Sequence, residues 1–155
     1  LDAEPQLFHP GDLDYIHSVE RISKLSNVIS INGGVQLDLM GQENAESTGT
    51  RQLSGIGGQM DFLEGAYRSK GGKGFICINS SRVTKDGERK SNILATIPGG
   101  STISAPRTMI QYVATEYGIA SLSGKTLRER AEAMASIAHP DFREELMKYT
   151  QENFK

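Results

Sequence analysis

Apolar residues at Ile16, Val19, Ile22 and Leu25 recur with helical spacing and predict a short amphipathic helix over 14–25. Asp12 or Asp14 is its candidate cap. Two β-type runs follow, 28–31 and 35–40, the second placing Val35, Leu37 and Leu39 on one face. Gly33-Gly34 between them predicts a hairpin. Residues 41–54 are polar and turn-rich, a loop of the length that usually carries function or mobility. Segment 62–69 is helix-compatible, and 74–78 is a candidate buried strand. Residues 82–91 are charged and exposed, and 92–97 is a strand ended by Pro98-Gly99-Gly100. Another strand, 112–115, runs into Glu116-Tyr117-Gly118. Thr126 with Glu129 forms a capping box ahead of Leu127, Ala131, Met134, Ile137 and Ala138. His139-Pro140 ends that helix, and Asp141 caps a last one with Phe142, Leu146 and Tyr149 on its apolar face. Strands come first and helices close the chain, so the pattern predicts a layered α/β or α+β domain.

Glycine interrupts this pattern most densely at Gly55-Ile56-Gly57-Gly58-Gln59-Met60-Asp61-Phe62 and at Lys70-Gly71-Gly72-Lys73-Gly74. Lacking a Cβ, glycine lets backbone approach a ligand closely and adopt positive φ. Two clusters flanking a helix-compatible segment predict a backbone-lined edge with N–H groups aimed at a polar or anionic ligand. The plain alternative is a pair of tight turns. Lys70 and Lys73 either attract a phosphorylated ligand such as a nucleotide or CoA, or are solvated loop lysines.

Composition narrows the field. The chain has 155 residues, one domain by length, with 37% hydrophobic and 23% charged residues. A net charge of -2 gives no electrostatic case for nucleic acid or an anionic membrane. No apolar run has the length of a membrane span. The single cysteine, Cys77, lies in an apolar run and is expected to be an inert core thiol. The absence of a cysteine framework fits a reducing cytoplasm. Leu1 is not an initiator methionine, and the opening residues carry no start signal, so the chain is expected to be part of something larger.

Familiar catalytic patterns are missing. His9, His17 and His139 have no metal-ligand spacing, and no metal site is expected. There is no Gly-x-Ser-x-Gly elbow, no P-loop and no dinucleotide fingerprint. Glu116, at a strand end beside a glycine, is either a nucleophile or base, or a structural carboxylate bonded to nearby backbone.

The order of several blocks carries a resemblance. These are Ile31-Asn32, Asp38-Leu39-Met40-Gly41-Gln42, the run Gly55 to Phe62, Gly65-Ala66, Ser69 and Gly71-Gly72-Lys73. Thr115-Glu116-Tyr117-Gly118-Ile119-Ala120, Gly124-Lys125, Glu129-Arg130-Ala131 and Ile137 to Arg143 continue it. Together they resemble the acetyl-CoA hydrolase/transferase family, in particular its 4-hydroxybutyrate and butyrate–acetate CoA-transferase members. The resemblance implies an α/β fold, an open sheet of the CoA-transferase type with strands first and helices closing the chain. It implies that residues 1–155 form a single domain, the carboxy-terminal one of a larger two-domain enzyme. It implies acyl-CoA as substrate rather than a permanently bound cofactor, small carboxylates as partners, and a homo-oligomer. In such enzymes a glutamate attacks the acyl-CoA carbonyl, the CoA thiolate returns to form a glutamyl thioester, and an incoming carboxylate collects the CoA. Water as acceptor makes the same site a hydrolase; a non-catalytic CoA-binding or oligomerisation module is the other alternative. Val35 and Gly58 carry over as CoA contacts acting mainly through backbone, with Gly57 helping Gly58 reach its conformation. The family's catalytic glutamate lies upstream of the first matching block, so no catalytic residue is assigned here, and the block around Glu116 is structural or site-shaping.

Overall fold

The computed structural model describes residues 3–155. Its first helices are α1 (Leu13–Ile16) and α2 (Val19–Lys24). The predicted single helix over 14–25 is therefore broken: Ser18 takes an extended conformation and its hydroxyl accepts from the Arg21 N–H, capping α2. Strand β1 (Ile29–Gly33) comes next, then β2 (Gln36–Asp38). The stretch read as one loop holds three short strands, β3 (Glu43–Asn44), β4 (Ser47–Thr48) and β5 (Arg51–Gln52). Helix α3 (Gln59–Arg68) leads to β6 (Lys73–Cys77). The charged segment folds as a hairpin of β7 (Ser81–Val83) and β8 (Arg89–Ser91), turning at Gly87 with φ 80°. The short β9 (Ile93–Leu94), then β10 (Tyr112–Thr115) and β11 (Gly118–Ser121), precede α4 (Leu127–Ser136) and α5 (Pro140–Asn153).

The main sheet has the order β1-β6-β10-β11, with β1, β6 and β10 parallel and β11 antiparallel. A second sheet runs β3-β2-β9. The hairpin predicted at Gly33-Gly34 does not form. The Gly34 N–H still bonds the Cys77 carbonyl on the main sheet, while the Val35 N–H bonds the Asn44 carbonyl in the second. The chain changes sheets between these two residues.

One face of the main sheet is packed. Ile76, Val113 and Ala120 point there and meet Leu63 of α3, Ala131, Met134 and Ala135 of α4, and Leu146 of α5 in one core. Leu37, Leu39 and Ile93 extend that core beneath the second sheet. The other face carries Ile29, Ile31, Phe75, Cys77, Tyr112, Ala114 and Ile119, matched in register. Ile29, Ile31, Cys77 and Ile119 on it are exposed. Cys77 is thus not a core thiol: strand alternation puts Ile76 and Ile78 inside and turns Cys77 outward. The capping box at Thr126 is present, with both reciprocal bonds made. At α5 the cap is His139, whose Nδ1 accepts from the Asp141 N–H, and Pro140 occupies the first turn. Asp141 lies inside the helix, not at its cap.

Candidate functional site

Parallel strands β1, β6 and β10 end together, and in open α/β sheets ligands bind beyond the carboxyl ends of such strands. Here Gly34, Cys77, Ile78, Asn79, Ala114 and Thr115 line an open cleft of about 460 Å³. Its polar neighbour is Glu116, whose carboxylate accepts from the Ser80 hydroxyl at 2.6 Å and the Ser80 N–H at 2.9 Å. Burial pushes the Glu116 carboxyl up, but the Ser80 bonds, its own N–H and the nearby His139 outweigh it, and the group is held below the usual carboxylate range. An acid held this way is a firm acceptor and a weak nucleophile. It ties β10 to the residues after β6.

The first glycine cluster opens α3. Gly57 has φ 58°, a left-handed conformation that favours glycine, and Gly58 is the helix's N-cap. A Cβ on Gly58 would overlap the imidazole of His17. That ring stacks edge-on to Phe62 at 5.1 Å and lies 3.5 Å from the Asp61 carboxylate. The helix dipole and the unbonded first-turn N–H groups make this end receptive to negative charge. The second cluster lies at the other end of the ten-residue helix, about 15 Å away. There Gly71, with φ 76°, turns the chain from α3 into β6, and a Cβ on Gly72 would strike the Ala66 carbonyl. The two clusters do not form one edge, and Lys70 and Lys73 flank only the turn.

Val35 is half-buried, and its N–H is taken by the Asn44 carbonyl at 2.9 Å. The structure links its segment to the α3 end through β3: Asn44 holds Val35, and the neighbouring Glu43 accepts from Gln59 Nε2, one residue past Gly58. Glu43 is fully buried; burial pushes its carboxyl up to about 8, against the pull of the Gln59 hydrogen bond. Neither Glu43 nor His17 is visible in the sequence pattern. An acidic residue in a polar run reads as solvated, and His17 reaches Gly58 only through tertiary packing. The described residues hold no cluster of metal-ligating side chains.

The fold is that of a CoA-transferase domain. Residues 1–150 match the acetyl-CoA hydrolase/transferase C-terminal domain family, and the chain belongs to that family. It is 47% identical over 136 residues to a butyryl-CoA:acetate CoA-transferase of Anaerostipes caccae, covering 88% of this chain and 30% of that protein. It is 47% identical over 142 residues to a 4-hydroxybutyrate coenzyme A transferase of Clostridium kluyveri, covering 92% and 32%. A crystal structure of 4-hydroxybutyrate CoA-transferase from Porphyromonas gingivalis superposes with a TM-score of 0.71 at 40% identity, over 91% of this chain and 30% of that one. RipA from Yersinia pestis gives 0.78 at 39% identity, over 90% and 30%. The chain spans about a third of the length of these relatives.

Proposed function

We propose that this chain is the CoA-contacting carboxy-terminal domain of an acyl-CoA:carboxylate CoA-transferase. The observation that carries it is the left-handed Gly57 turn at the head of α3 in a chain of this family. Gly58 and Val35 contact the pantetheine arm, and Gly57 sets the turn. Acyl-CoA is a substrate, and the acceptor is a small carboxylate. The nucleophilic glutamate lies on a segment preceding this one in the complete protein; Glu116, held by Ser80, is not that group. In the reaction the glutamate displaces CoA thiolate from the acyl carbonyl. The thiolate then attacks the resulting anhydride, releasing the acyl carboxylate and leaving a glutamyl-CoA thioester. The Gly57-Gly58 turn keeps the pantetheine arm bound while the thiolate is free.

The bare sheet face supports the domain assignment, because parallel sheets are ordinarily covered on both sides. We place the remaining two-thirds of the polypeptide there, in a homo-oligomeric enzyme of the cytoplasm. No helix among the described residues is long and apolar enough to cross a membrane.

The test is an intact-mass spectrum of the complete gene product after brief incubation with acetyl-CoA. A CoA adduct mapped to a glutamate outside this chain is expected. An adduct on Glu116 would move the catalytic centre here, and bound CoA without an adduct would point to a hydrolase or a binding module.

A further inference from the structure

Glu43 occupies an unusual position for a carboxyl. It sits in the short strand β3 with no accessible surface. Its Oε2 accepts from Gln59 Nε2, while its Oε1 has no hydrogen-bond partner among the described residues. The free oxygen lies against Gly34: a Cβ added there would stand 2.7 Å from it, with Ile76 and Ile78 Cγ2 atoms at 3.2 and 3.1 Å. Gly34 lines the cleft and precedes Val35; Gln59 begins α3 and follows Gly57-Gly58. The next residue, Asn44, accepts the Val35 N–H. One buried side chain therefore touches both segments expected to hold CoA.

We propose that Glu43 is a positioning residue for CoA, holding the Gly57-Gly58 turn and the Gly34-Val35 crossing at a fixed separation: Oε2 accepts from Gln59, and the unbonded Oε1 packs beneath Gly34. The proposal rests on the CoA reading above. An ionised carboxylate is poorly tolerated among isoleucines with one amide donor, so the group works in its protonated form. Burial pushes it up to about 8. The charged and titratable groups of the surrounding elements are engaged elsewhere. Asp38 on β2 accepts from Gln42, His17 and Asp61 pair beside Gly58, Glu46 accepts from Ser104, and Cys77 on β6 faces outward. The segment at 104–105 meets Glu43 through backbone bonds.

Loss of that proton leaves a buried charge with a single amide donor, and the cost of its desolvation favours opening of the packing around Oε1 and Gly34 to water. Burial pushes this carboxyl up to about 8, so KM for acyl-CoA is expected to rise several-fold between pH 7 and pH 9 with kcat held. The experiment is steady-state kinetics and CoA binding on the complete gene product across that range. Glu43→Gln keeps the shape without the titration and is expected to flatten the alkaline rise. Gln59→Leu cuts the tie from its other end and is expected to raise KM several-fold at every pH. Circular dichroism checks each variant's fold; if Glu43→Gln fails to fold, the wild-type profile and Gln59→Leu decide. CoA binding without an alkaline rise, the same rise in Glu43→Gln, or an unchanged KM in Gln59→Leu overturns the proposal and leaves the CoA reading standing. No CoA binding by the wild type at any pH removes both.

Discussion

Glycine at position 58 has one reason proposed from the sequence and a second observed in the structure. On the proposed reading the absent Cβ admits CoA; in the structure the space a Cβ would take is filled by the His17 ring. Gly58→Val therefore acts twice. It is expected to weaken CoA binding and to cost about 1–3 kcal/mol by overpacking. In a His17→Ala background the stability returns while the CoA defect stays; thermal melts and CoA titrations separate the two. Glu43 contributes through protons. The unfolded chain releases this proton near 4.5 and the folded chain near 8, so between these values the native state binds more protons. Stability from this group is full below 4.5, falls as pH rises toward 8 and is flat beyond. The total is on the order of 5 kcal/mol, at about 1.4 kcal/mol per pH unit over the interval from 4.5 to about 8. Urea midpoints taken across this range should slope downward in the wild type and lose most of that slope in Glu43→Gln.

Elements were legible where their signals are local. Thr126 and Glu129 specify their own capping box within four residues, and both bonds are present in the fold. Thr126→Ala is expected to lower stability by about 1 kcal/mol, because α4 places Ala131, Met134 and Ala135 in the core. An unchanged denaturation midpoint would refute that value. Where an element's partner is distant, the pattern misled. Gly33-Gly34 reads as a hairpin, yet β1 pairs with β6, and the glycine is needed because Gly34 passes close over Glu43. Residues 82–91 read as bare charge, yet their pairing across Gly87 makes a hairpin. Periodicity also could not divide 14–25, since the break depends on the Ser18 hydroxyl bonding the backbone. The same limit applies to the site. The glycine turn was visible in the letters, while the Glu43–Gln59 tie joins two segments across the fold.

At the scale of the whole chain, one face of the main sheet is left uncovered by the described residues. Ile31 is 69% exposed and Ile119 63% exposed, on either side of a Phe75–Tyr112 stack with ring centroids 4.9 Å apart. A sheet whose central strands are parallel ordinarily buries both faces, and relatives about three times as long have chain enough to cover this one. Cys77 reports on it, because its thiol lies on that face. In this chain alone, alkylation of Cys77 by a maleimide should be as fast as for an open thiol. In the complete gene product it should slow by about tenfold or more, as expected for a thiol buried behind a packed interface. Ile31→Lys supplies the energetic counterpart. In the isolated chain it replaces an exposed side chain and should shift stability by no more than about 0.5 kcal/mol. In the complete protein it buries a charge in an apolar contact and should cost about 2 kcal/mol or more. Equal alkylation rates in the two forms, with Ile31→Lys neutral in both, would mean that the face stays open and that the rest of the polypeptide packs elsewhere.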